Sequence, residues 1–168
     1  MDATSYLELV ETAMGQAGYE VRASRPDALH GFRRDFRLYW MGSMHLHVHV
    51  ATAPVVDVPD LDAFARWTLT HASASRDGAQ AFFSGGAAIA AVVGDHVTPA
   101  AQEYARHTIL RMFGAFTWPV VVDLTTGTRV SQSGTPFVGM AFNPWMRSQI
   151  DALFPVRRRP ARPAPASR

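Results

Sequence analysis

The chain contains no cysteine and no lysine, and its longest uninterrupted apolar run is the seven residues 87–93. Without cysteine there are no disulfides, thiolate zinc sites, iron–sulfur clusters or cysteine nucleophiles, so any metal must be held by His, Asp, Glu or Met. All sixteen basic side chains are arginine. Together with the abundance of alanine, this reads as a GC-rich coding bias, which weakens arginine by itself as a sign of phosphate recognition. A membrane-spanning helix needs about 20 apolar residues, and no run approaches that. The first residues lack a basic segment and soon carry Glu8 and Glu11, so no secretory signal is read there and a cytoplasmic location is expected.

What remains is an ordinary globular composition: 168 residues, 48% hydrophobic and 18% charged. A chain of that size buries roughly 70% of its unfolded surface in one domain. Residues 1–154 are expected to form that domain and residues 155–168 a disordered tail rich in Arg and Pro. The tail holds five of the arginines and no acid, which leaves the body at eleven arginines against fourteen acids, mildly negative. It lacks aromatic residues for base stacking, so it reads as a solubilising extension, and specific nucleic-acid recognition is not expected.

Ser5-x-x-Glu8 reads as a capping box opening a helix along Tyr6, Leu9, Val10, Ala13, Met14 and Ala17, with Gly18 as its stop. A short strand is expected over 19–24. Residues 32–40 and 45–51, alternating around Gly42-Ser43, predict a β-hairpin. Asp60 is read as the cap of a second helix carrying Leu61, Phe64 and Trp67. Residues 80–83 and 87–93 read as strands, although the alanine-rich run also suits a buried helix. Thr98-Pro99 starts a third helix whose apolar side extends to Phe113 before Gly114. Strand material follows over 118–124, 128–131 and 137–142, and Asn143-Pro144 opens a last helix. The hairpins predict an α+β domain with a largely antiparallel sheet and helices packed mainly on one face.

Over the first 97 residues this order, a helix ending in Ala17-Gly18-Tyr19, then hairpin, helix and strand, resembles the small α+β fold of type III secretion chaperones and YbjN-like proteins. The resemblance implies a peptide- or protein-binding role.

The most distinctive feature is the alternation His45-Leu46-His47-Val48-His49-Val50. On a strand it sends three imidazoles to one face. A three-residue loop, Gly42-Ser43-Met44, would pair Met41 with His45, Tyr39 with His47 and Arg37 with His49. That register separates polar from apolar and gives a face of Arg33, Asp35, Arg37, Tyr39, His45, His47 and His49. Three readings follow. The first is simply the solvated side of a half-buried sheet. The second is a metal site: residues two apart on a strand lie about 6.6 Å apart, so His45 and His47 can share an ion, whereas His45 and His49 cannot. The third ligand would be Asp35, His96 or Asp123, and zinc or copper is the candidate, with Met41 and Met44 favouring copper(I) if they contribute. The last is a surface that binds anions or responds to acid.

Elsewhere, Ser84-Gly85-Gly86 reads as a turn, a bulge or a backbone nest for an anion. Asp95-His96 is a candidate acid–base pair with a competing capping role, His71 and His107 read as helical residues, and His30 carries little signal. The expected function is a binding domain for a peptide, protein or anionic small molecule, as a homodimer. The alternative is a metal-dependent hydrolase with His45 and His47 as ligands and Asp35, Asp95 or His96 as catalytic base.

Overall fold

The computed structural model describes residues 1–37, 42–75, 84–134 and 142–156. The expected strands over 80–83 and most of 137–142, Tyr39, and the tail from Arg157 onward lie outside them. Helix α1 (Ala3–Gln16) is capped by Asp2, whose carboxylate accepts the Ser5 amide, so the cap lies three residues before the expected one. It buries Tyr6, Leu7, Val10 and Met14. Gly18, at φ 77°, turns the chain into β1 (Glu20–Arg25).

Strand β1 pairs antiparallel with β2 (Ala28–Arg37), and β2 with β3 (Gly42–Val56). Helix α2 (Val58–Ala74), capped by Asp57 rather than Asp60, then carries the chain back to β4 (Ser84–Val97). Because of this crossover β3 and β4 run parallel. Helix α3 (Pro99–His107) ends earlier than its apolar pattern suggests. Residues Leu110–Met112 instead form β5, an edge strand antiparallel to β6 (Ala115–Asp123), with Gly114 at φ 70° in the turn. Strand β6 is parallel to β4 and antiparallel to β7 (Thr128–Ser131), and α4 (Asn143–Leu153) follows.

The domain is therefore α+β, but its seven-stranded sheet, ordered β1-β2-β3-β4-β6-β5 with β7 also on β6, is mixed rather than largely antiparallel. The alanine-rich run is strand, central in the sheet. Buried side chains form two apolar clusters. Leu46, Val48 and Val50 of β3 join α1 and α4 in one, while Val92, Val97 and Val121 join α2 and α3 in the other. Helices thus supply both clusters. Among the described residues, no helix is long and apolar enough to cross a membrane.

The hairpin register departs from the expected one. Phe32 pairs with His47, Arg34 with His45 and His30 with His49. This changes the parity of the pairing, so Arg33 and Asp35 share a side with Leu46 and Met44 instead of with the histidines. The expected polar face is thereby divided. Arg33 donates to Asp35 at 2.7 Å and to the Ala17 carbonyl at 2.8 Å, and the Trp145 indole donates to Asp35 at 3.0 Å. Met44 packs into the core on that same side against Gly85, where a Cβ would meet its thioether. Ser84-Gly85-Gly86 is the start of β4, and Gly86 lies close to the Ala72 carbonyl of α2, so these glycines serve close packing rather than a turn.

Candidate metal centre

A solvated sheet face does not survive the topology. Flanked by β2 and β4, strand β3 is internal, and His45, His47 and His49 are 6%, 0% and 4% exposed. Their neighbours on β4, Ala88 beside His47 and Ala90 beside His49, are small and buried. Side chains that short let α2 approach, and its last turns bring His71 and Ser75 to the histidine row.

Four imidazoles converge: His30 from β2, His47 and His49 from β3, and His71 from α2. One ring nitrogen of each lies within 4.8 Å of the other three. Nε2 of His30 is 3.2 Å from Nδ1 of His47, and Nε2 of His49 is 3.2 Å from Nδ1 of His71. The rings of His30 and His49 stack with centroids 4.0 Å apart, and His71 meets His49 edge-on at 4.8 Å.

One tautomer follows from the bonding. Ser75 donates its only hydroxyl proton to the Ala72 carbonyl at 2.9 Å and lies 2.6 Å from Nε2 of His47. With the serine proton on that carbonyl, the serine oxygen accepts from Nε2 of His47, which leaves the Nδ1 lone pair facing the other imidazoles. His30 in turn donates from Nε2 to that lone pair.

Burial, and then His71 and Arg22, lower the pKa of His30 to about 4, Glu20 opposing. Burial followed by His30 and His71 lowers His47 to about 3 and His49 to about 2. At neutral pH these three rings are uncharged, the form in which a histidine binds a metal.

The donor set suits a late first-row ion. A tetrahedral zinc ion with bonds of 2.0–2.1 Å separates its nitrogens by about 3.3 Å. Two of the pairs already stand at 3.2 Å. All four lie within 4.8 Å of one another, so the wider pairs must draw in to reach that spacing. The serine behind His47 is the kind of outer partner that orients a ligating imidazole.

The expected metal pair is thus half replaced. His47 belongs to the group, but His45 does not: its ring sits one position further along the same side, edge-on to Phe32 at 5.7 Å. His30 and His71 join instead. Alternation did extend back through Phe32 to His30, and His71 stands one turn after Trp67 on α2. The catalytic candidates are elsewhere. Asp35 lies among Arg33 and Trp145. Asp95 and His96 are exposed, and His96 pairs with Val55, six residues and about 20 Å along β3 from His49. Asp123 accepts the amides of Val97 and Thr126; burial raises its carboxyl, but these bonds outweigh that and hold it below the usual range. His107 is an exposed partner of Glu103.

Beside the imidazoles lies a cavity of about 160 Å³, lined by His30, His49 and His71 together with Phe64, Trp67 and Arg25. Trp67 is half exposed, stacks on His71 and meets His49 edge-on at 4.8 Å. A larger cavity of about 360 Å³, lined by Met44, Ile109, Met112, Phe116 and Trp118, lies apart from the histidines. No family model, curated protein or solved structure was found to match the chain.

Proposed function

We propose that this is a metal-binding domain in which His30, His47, His49 and His71 hold one late first-row ion, zinc or copper. The observation that carries the reading is the convergence of the four ring nitrogens within 4.8 Å. Imidazole suits both ions, while the thioether case for copper(I) loses Met44, which packs in the core with α1 and α4. Bound there, the ion would tie β2, β3 and α2 together through side chains, and its binding energy would add to the stability of the fold.

A binding role is preferred to the hydrolytic one. Asp35, Asp95 and His96 stand away from the four imidazoles, and no carboxylate belongs to the group among the described residues. The peptide- or protein-binding role implied by the chaperone-like element order is a separate proposal, and the histidine cluster neither requires nor opposes it.

The test is elemental analysis of untagged protein, with zinc titration after chelation. About one ion per chain is expected, falling sharply in His47→Asn and His71→Asn but not in the exposed control His107→Asn. Wild-type protein that takes up no zinc or copper, and melts at the same temperature with and without chelator, ends the proposal. Circular dichroism on each variant separates a lost site from a lost fold.

A further inference from the structure

We infer that Cu²⁺ held by the four imidazoles, which unlike tetrahedral zinc can take a further ligand beyond four nitrogens, keeps one coordination position open to the adjoining cavity, and that this position takes a small monovalent anion. The inference rests on the metal-binding reading above and adds a ligand to it.

The first argument is access. His47 is fully buried and held from behind by Ser75, so that side is closed. His30, His49 and His71 instead line the 160 Å³ cavity. A water molecule occupies about 30 Å³ in the liquid, so a few waters or one small ion fit. Drug-sized ligands occupy pockets of about 300 Å³ or more and do not.

The second argument is charge. Neutral imidazoles leave a divalent ion with both its charges in a largely buried place, where uncompensated charge is costly. No Asp or Glu belongs to the ligand group among the described residues. Glu20, the acid felt at His30, is already paired with Arg22 at 3.5 Å. Arg25 adds positive charge at the cavity wall. An anion entering from the cavity supplies what the ligand set lacks.

The experiment uses the full chain loaded with Cu²⁺, whose visible absorption reports the bound ion, titrated with sodium azide. The expected result is a saturable azide-to-copper charge-transfer band with one azide per copper and no loss of the metal. Ala28→Leu, two residues before His30 on the same side of β2 and on the cavity wall, should retain copper but weaken azide at least tenfold. Ala23→Leu, opposite His30 on β1, is the second filling variant should the first misfold. Copper that binds but gives no azide band up to 100 mM, on the order of a hundred thousand times a micromolar protein sample, overturns the open position and leaves the metal site standing. Azide that strips the copper overturns it too. Failure to bind Cu²⁺ at all removes the metal-binding reading itself and this inference with it.

Discussion

Ser75 stands 2.6 Å from Nε2 of His47 while giving its own proton to the Ala72 carbonyl, and so fixes which nitrogen of that buried ring faces the cluster. Losing such an outer partner commonly costs 10- to 100-fold in metal affinity. Ser75→Ala should therefore raise the zinc Kd by about 10- to 100-fold in a competition titration against a chromophoric chelator. Ser75→Thr, which retains the hydroxyl, should restore most of the affinity. Equal Kd values for wild type and Ser75→Ala would show that His47 does not ligate through Nδ1.

The metal-free protein should be sensitive to acid, in a direction the burial of the imidazoles determines. His30, His47 and His49 are held at about 4, 3 and 2, whereas an unfolded chain protonates them near 6.5. Below that value the unfolded state takes up protons that the folded state refuses. Stability is full above pH 6.5 and falls as pH drops toward 4, by up to about 1.4 kcal/mol per pH unit for each refused proton. Urea denaturation of chelated protein between pH 7 and 5 measures the slope. His30→Gln/His49→Gln should flatten it, and a slope unchanged by that pair would assign the acid sensitivity to other groups.

Local signals placed most elements but not the relation between them. The helices of α1 and α3 announce themselves by Gly18 and by Thr98-Pro99, and the alternation at His45–Val50 does form a strand. The expected register fails because separating polar from apolar assumes one wet side of a hairpin. Here β3 is internal, paired parallel to β4, and both of its sides are buried. Parallel pairing is non-local and leaves no turn signature in the sequence. For the same reason His71 could not be joined to the site by spacing: it arrives from α2, and only the close packing allowed by Ala88 and Ala90 brings it there. His30 was closer to reach, being one alternation step before Phe32 once β2 starts at Ala28.

Asp35 offers a clean separation of structural from chemical roles. Its carboxylate takes hydrogen bonds from Arg33 and the Trp145 indole, and both charged side chains are less than one fifth exposed. Asp35→Ala leaves the Arg33 guanidinium without its anionic partner and should destabilise the fold by about 1–3 kcal/mol. It should leave zinc stoichiometry and affinity unchanged at a temperature where the variant is folded. Loss of zinc by a folded Asp35→Ala protein would place that carboxylate at the metal after all.

Trp67 provides an optical report on the same centre. Its indole lies edge-on to His49 at 4.8 Å and stacked on His71 at 5.8 Å, and Phe64 stacks on it at 5.9 Å. A Cu²⁺ ion among the imidazoles would therefore sit within several ångströms of this tryptophan, close enough to quench its emission. Trp118 packs instead with α1 and α4, and so does Trp145. Stoichiometric Cu²⁺ should quench a saturable fraction of the emission, and Trp67→Phe should abolish most of that change while leaving copper uptake near one per chain. Zinc, which has no open d shell, should produce a much smaller change at equal occupancy. Quenching that survives in Trp67→Phe at full amplitude would place the bound copper away from His49 and His71, since those two rings are the indole's nearest contacts in the cluster.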